Sequence, residues 1–406
     1  MISLKHIIDR FAAQRSKETM KALMNQMQSE SVLDEDIAYL ASQLASSGIK
    51  LISGSNEKTA AFASTGGATS LSTLLGPLCL RALGYKVPNL SVPGRPAGGI
   101  DVMAQLPGYS VSFTKANLQH ILSRSGYVNF LAGGKFTPLD ALLFYYRQRA
   151  GTQQIVPLAI ASILSKKLAA GATLVGLDVR MARHGNFGVS LKAARDNAEQ
   201  FCRVAALLGM TARCFLTNAE VPYQPYIGRS EALLALADFF QGQASGLLEY
   251  HANICLRMGV RTIGGHGITV PTISTLVECF KDNLWTQGCS FDKFTSYVDK
   301  IRRARRIPIL ASQTGFLKID LGQIKSIIVS LQNQHRSPRQ PFPDPCGLIL
   351  SKSAGEFVHS GETIGSIRIS HIKEDTAVQR IREAFLVVSG VDPIFGVQEV
   401  AYAKPR

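Results

Sequence analysis

Residues 60–84 read AAFASTGGATSLSTLLGPLCLRALG. A short apolar run enters Ser64-Thr65-Gly66-Gly67, and after Thr69-Ser70 an apolar stretch at helical spacing continues to a closing Gly84. Strand, glycine turn and helix in so few residues constrain the fold strongly. They are the start of a βαβ unit, because parallel strands need a crossover connection, usually a helix. "KVPNLSV" supplies the next strand and "PGRPAGGID" the loop after it. The glycine turn is also a ready anion site. The first N–H groups of a helix lack intrahelical partners, its dipole end is positive, and Ser and Thr hydroxyls add donors. A tight turn with hydroxyl caps has the same composition, so the loop alone leaves both readings open.

The rest of the chain continues the alternation. Residues 1–47 read as two or three short helices; "DEDIAYLASQLASSG" has apolar residues at helical spacing and a Gly stop. "TPLDALLFYYRQRAG" and "IVPLAIASILSKKLAAG" form a helical block over 137–170, followed by the apolar strand "ATLVGLDVRM", the helix "LKAARDNAEQFCRVAALLG" and the strand "MTARCFLT". Near Arg306 the texture changes to short β-like runs, a Pro-rich basic linker and a helix, "DTAVQRIREAFLVV". The expected architecture is α/β. A helical domain split in sequence (1–47 and 137–170) joins a larger α/β domain with a mixed sheet (48–136 and 171–330) and a small C-terminal α+β lobe (331–406).

With 406 residues and 46% hydrophobic residues, the chain has enough apolar material for two or three domains and is not a disordered one. The formal net charge is +15, densest in "DKIRRARR" and "HRSPRQP". No aromatics interleave these runs, so they fit a solvated surface that attracts small anions better than a nucleic-acid platform. Seven scattered cysteines lack CxxC spacing and read as reduced, in keeping with a cytoplasmic protein. The N-terminus reads as an amphipathic helix, no apolar run reaches membrane-spanning length, and no metal-ligand spacing is present.

A second constellation lies in "RQRAGTQQIVPLAIASILSKKLAAG". Ser162 and Lys166 are four apart and share a helix face, and Arg147 precedes that helix as if entering from a loop. Two cations and a hydroxyl in this pattern suit a flat, oxygen-bearing ring. Lys166 by itself would be an ordinary surface lysine.

Taken in order, "STGG…TSL…LGP", "GRPAGGIDVMAQLPG" and the Arg147–Lys166 block running to Asp178-Val179 resemble the thymidine phosphorylase and pyrimidine-nucleoside phosphorylase family. The resemblance covers roughly residues 8–400, and "GEFVHSGETIGSIRISH" is similar to that family's C-terminal lobe. It implies a homodimeric pentosyltransferase with a cleft between its domains. Inorganic phosphate is the co-substrate, no further cofactor is needed, and a nucleoside or pyrimidine base is the ligand. It implies that Arg147, Ser162 and Lys166 bind the base, with Arg147 and Lys166 also stabilising the leaving anion. It places phosphate on Ser64, Thr65, Gly66, Gly67, Thr69, Ser70 and Arg95.

The phosphate side departs from the family pattern. Phe62 and Ala63 stand where the family has Lys and His, Pro93 where it has a Ser, and Gly99 where it has a Thr; the glycine loop is also shorter. Losing one positioned donor costs roughly 10²–10³ in rate. The expected function is therefore phosphorylase-like pentosyl transfer with a rebuilt phosphate site. The alternatives are an impaired ligand-binding or regulatory homologue, a nucleosidase using water or, more weakly, a phosphoribosyltransferase. Arg95, Lys58 and His120 are candidates for the missing charge. Arg183, His184 and His266 are candidates too, more simply read as loop and turn residues.

Overall fold

The computed structural model describes residues 3–29, 31–52, 57–68, 70–185, 187–265, 267–370, 375–390 and 398–401. Three helices open the chain, α1 (Leu4–Gln14), α2 (Lys17–Gln26) and α3 (Asp34–Ser46). Strand β1 (Ala60–Ser64) is followed by α4 (Ser72–Ala82), β2 (Val87–Ser91), the short α5 (Gly99–Met103), α6 (Lys115–Ser125) and β3 (Tyr127–Leu131). Next come α7 (Pro138–Ala150), α8 (Val156–Ala170), β4 (Leu174–Met181), α9 (Leu191–Leu207), β5 (Thr211–Asn218) and β6 (Tyr226–Ile227). Helices α10 (Arg229–Phe240), α11 (Gly246–Thr262), α12 (Ile273–Thr286) and α13 (Phe291–Arg302) lead to the last region. That region holds β7 (Ile307–Leu310), β8 (Gly315–Ile319), α14 (Leu321–Gln334), β9 (Cys346–Leu350) and β10 (Phe357–Val358). It ends with β11 (Thr363–Ile369), α15 (Asp375–Arg382), β12 (Phe385–Val388) and β13 (Gln398–Ala401).

The architecture is α/β with a mixed central sheet. β1, β4 and β5 pair in parallel, and β13 closes the edge antiparallel to β5. A bridge between Thr59 and Lys86 sets the parallel pair β2–β3 beside β1. The spatial order is therefore β3-β2-β1-β4-β5-β13. The chain runs outward from β1 to β3, then crosses back through α7 and α8 to β4. β1 and β4 thus flank a topological switch point, where the loops after neighbouring strands diverge and leave a crevice at their carboxyl ends.

Side-chain alternation along β1 sends its residues to two cores. Phe62 belongs to the core with α4, α10 and α11, while Ala63 packs on the core of α1–α3, α7, α8 and α9. Helix α8 begins with Pro157 in its first turn and ends at Gly171, whose φ of +85° is the left-handed cap that glycine adopts without strain.

A third core joins β7, β8 and α14 to β9, β11, α15 and β12. The C-terminal lobe thus takes in chain from about residue 307, earlier than the expected boundary at 331. The Pro-rich, basic composition of the linker marks that boundary in sequence, whereas packing of β7 and β8 sets it in the fold. In addition, β13 leaves the lobe and returns to the central sheet. Among the described residues, no helix is long and apolar enough to cross a membrane. The basic run at the end of α13 is partly consumed in the fold: Arg306 pairs with buried Glu231 at 2.9 Å and Arg302 with Asp238 at 2.5 Å.

Candidate functional site

The crevice at the switch point is a cavity of about 270 Å³. Its walls are the loop after β1, the loop after β2, and the facing surfaces of α7 and α8, with one side chain from α14. Five cations line it, Arg95, Arg147, Lys166, Lys167 and Lys325, and no Asp or Glu lies among its described lining residues.

On the helical wall, Arg147, Ser162 and Lys166 come together at the cleft, all buried. Arg147 sits in the last turn of α7, not in the loop before α8. Its side chain folds onto the α7–α8 turn, where Nη2 donates to the Gln153 carbonyl at 2.8 Å and Nε to the Thr152 carbonyl at 3.4 Å. Burial lowers its pKa to about 10, opposed by the Asp140 carboxylate. Lys166 Nζ donates to Ser162 Oγ at 2.8 Å, as the i, i+4 spacing predicts, and lies 2.6 Å from Asp140 Oδ2. Asp140 is therefore the counter-ion of the buried Lys166. Sequence reasoning missed it because it is one turn into another helix, with no local signal.

Lys167, the next residue, is buried without a carboxylate. Its Nζ reaches only Asn89 Oδ1 at 3.5 Å and the Leu90 carbonyl at 3.4 Å. Burial, with Lys166 adding to it, pushes its pKa down to about 7.

On the sheet-end floor, Ser64, Thr65, Gly66, Gly67 and Ser70 line the cleft as expected; Thr69 lies outside the described residues. Their hydroxyls, however, are engaged. Asp178, fully buried and opposite Ser64 in the β1–β4 register, accepts from Ser72 Oγ at 2.6 Å, Ser70 Oγ at 3.2 Å and Ser64 Oγ at 3.5 Å. Its other oxygen accepts from Thr217 Oγ1 at 2.5 Å. Thr65 Oγ1 in turn accepts from the Arg180 backbone N–H at 2.9 Å. The loop has been organised around a protein carboxylate.

Beneath the loop, Arg180 Nη1 pairs with Asp178 at 3.2 Å, and its guanidinium stacks 3.6 Å from the centre of the Tyr223 ring. Burial lowers the Arg180 pKa, and Asp178 opposes that shift. His251 Nε2 accepts from the Leu71 N–H at 3.0 Å at the entry to α4. Burial first, then Arg180, holds the His251 imidazole well below its usual range, so it is neutral. A Cβ on Gly67, whose φ is +147°, would lie 2.8 Å from Tyr223 Oη. The glycine lets the loop rest directly on this layer.

Phe62 borders the cleft, but its side chain is turned into the core. Its ring is 1% exposed, stacks on Phe215, and fills the space left by Gly76 and Gly176, where a Cβ on either would come within 2.6 Å of it. The second loop is held by Asp101, which accepts from the Gly94 N–H at 2.7 Å and the Gly98 N–H at 3.2 Å and pairs with Arg229 at 2.7 Å. Gly99 has its own reason. Pro77 in α4 cannot bond the Thr73 carbonyl four residues back, and a Cβ on Gly99 would sit 2.6 Å from that oxygen.

Of the candidates for missing charge, Arg95 lines the cleft, where its Nη2 donates to Gln148 Oε1 of α7 at 3.2 Å. Lys58 and His120 are exposed and do not line it. Arg183 is exposed and pairs with Glu220; His184, half-buried, gives its carbonyl to Lys325. Neither Arg183 nor His184 lines the cleft. His266 lies outside the described residues.

No family model matches this chain. It is similar to the pyrimidine-nucleoside phosphorylase of Staphylococcus haemolyticus, 22% identical over 340 residues, which cover 79% of this chain and 77% of that one. It is similar to the thymidine phosphorylase of Agrobacterium fabrum, 26% identical over 350 residues, 82% of this chain and 79% of that one. The anthranilate phosphoribosyltransferase of Thermus thermophilus superposes at a TM-score of 0.47 with 15% identity, over 74% of this chain and all of that one. The chain is an α/β protein. Over most of its length it is a distant and divergent relative of proteins named thymidine phosphorylase and pyrimidine-nucleoside phosphorylase.

Proposed function

We propose that the protein transfers a pentosyl group from a pyrimidine nucleoside to phosphate, releasing the free base and a pentose 1-phosphate. The observation that carries this reading is the joining of Arg147, Ser162 and Lys166 on one wall of a cleft that carries only cations as charged lining among its described residues. Its relatives are named phosphorylases of pyrimidine nucleosides and of thymidine.

The chemistry suits this wall. A phosphate oxygen forms a bond to the anomeric carbon as the glycosidic C–N bond breaks, and that bond's electron pair goes to the pyrimidine. Negative charge then develops on the ring, mostly on its oxygens. Fixed cations in a low-dielectric cleft stabilise that charge more than they stabilise the neutral substrate, and so lower the barrier. The Asp140 carboxylate anchors Lys166 before substrate arrives.

A second reading rests on Asp178. It engages Ser64, Ser70 and Ser72, the hydroxyls that a phosphate would use. That favours a protein that binds the nucleoside and hydrolyses it, or only holds it. Incubation with uridine or thymidine plus phosphate, followed by chromatography, separates the readings. Free base with pentose 1-phosphate is expected. Free base with unphosphorylated pentose supports water as acceptor, and no base release at stoichiometric protein contradicts an enzyme.

A further inference from the structure

The helix α14 of the C-terminal lobe reaches the cleft. Lys325 lines the cavity, and its Nζ donates to the His184 carbonyl at 3.2 Å. Gln332, seven residues on and so on the same helix face, donates to the Pro96 carbonyl at 2.7 Å in the second loop. Gln105 Nε2 ties the same region to the Phe342 carbonyl at 2.9 Å. The lobe thus shapes the loop that carries Arg95.

Arg95 and Lys325 face the same space and repel each other. Burial and then Arg95 lower the Lys325 pKa; burial, then Arg336 and Arg229, lower that of Arg95. The cleft supplies no carboxylate among its described lining residues. Half-buried cations such as Arg95 and Lys325, gathered without a counter-ion among the described lining residues, are unfavourable until an anion enters. The glycine loop offers an incoming anion little side-chain support as it stands, since the Ser64 and Ser70 hydroxyls are bonded to Asp178 and Phe62 is a core residue.

We propose that Lys325 and Arg95 form a clamp for a phosphoryl dianion, so that the C-terminal lobe completes the anion end of the cleft. Lys325 supplies a mobile point charge and Arg95 a planar fork of donors. The clamp deepens the pentosyl-transfer reading and rests on it for the anion's role. The same group arrives either as inorganic phosphate or as a phosphate ester on the sugar of the nucleoside.

Calorimetric titration of the full chain with inorganic phosphate, uridine and uridine 5′-monophosphate tests this. Wild type is expected to bind phosphate, the monophosphate, or both. Lys325→Gln and Arg95→Gln should each weaken that binding about tenfold or more and leave uridine unchanged, while Lys325→Arg should retain most of it. Phosphate that binds alongside uridine marks a separate co-substrate. A monophosphate that binds far more tightly than uridine, and that phosphate displaces, marks an ester. Wild type that binds neither anion, or glutamine variants that bind them as wild type does, overturns the clamp. Anion binding without base release keeps the clamp and removes the pentosyl-transfer reading. Base release that is indifferent to Lys325→Gln does the reverse.

Discussion

On the helical wall of the cleft Lys166 is buried with a carboxylate 2.6 Å away, whereas across the cleft Lys325 and Arg95 share one space with none among the described lining residues. Between them, the glycine loop keeps its hydroxyls but lends them to Asp178. On the proposed reading, Lys166, balanced by Asp140, is preorganised for a neutral ring and its developing charge. Charge left unbalanced waits for an anion. On that reading, one cleft keeps the base-binding pattern of its phosphorylase relatives while the opposite end is rebuilt from another part of the chain.

Restoring the family cation breaks this comparison most severely. Phe62→Lys would bury an unpaired ammonium between Gly76 and Gly176 and lose the stack on Phe215. The expected destabilisation is about 3–5 kcal/mol or more, with no gain in phosphate affinity. Urea unfolding and phosphate titration check both parts. Stable folding with tighter phosphate binding would show that the position still faces the site.

Asp140→Asn tests the balanced wall. It leaves Lys166 buried without its counter-ion and should cost about 3 kcal/mol, most of it recovered in the double variant Asp140→Leu with Lys166→Met. Equal stability of the Asn single variant and wild type would place the ion pair outside the energetics of the wall.

Lys167 sharpens the contrast through pH. Its folded pKa of about 7 lies below the ordinary lysine value, so the unfolded chain binds more protons between about pH 7 and 10. The penalty is fully present below pH 7 and fades as pH rises through that window. Lys167→Met should therefore stabilise the protein at pH 7 by a few kcal/mol, on the order of what the pKa difference represents. Denaturation at pH 7 and at pH 9 should show that advantage shrinking, by at most about 1.4 kcal/mol per pH unit. An advantage independent of pH would mean that packing, not protonation, is responsible.

The smallest effect is expected at Arg183, exposed beside Glu220. Arg183→Ala should change stability by less than about 0.5 kcal/mol and leave uridine and phosphate binding unaltered. A loss of anion binding there would extend the clamp to the loop after β4.

Much of the fold was legible where local signals agree with tertiary packing. The strand that runs into Ser64, the block "IVPLAIASILSKKLAAG" and the stop at Gly171 declare themselves by a short apolar run, helical spacing and a glycine cap. Site residues that share one helix, Ser162 and Lys166, were legible for the same reason. The partners that decide the electrostatics were not, because they come from distant segments: Asp140 from another helix, Asp178 from a neighbouring strand, Lys325 from the far lobe. Phe62 could be seen to replace a cation, but only its flanking glycines, Gly76 and Gly176, reveal that its ring turns into the core. Arg147 was misplaced into a loop because the helix that carries it ends only at Gly151.

The most direct test of a retained base wall and a rebuilt anion end is a crossed set of titrations. Wild type, Lys166→Met and Lys325→Gln are each titrated with uridine and with inorganic phosphate. Independent ends require Lys166→Met to weaken uridine and spare phosphate, and Lys325→Gln to do the opposite, each by about tenfold or more. Loss of both ligands in either variant, or retention of both in Lys325→Gln, would contradict a cleft divided in this way.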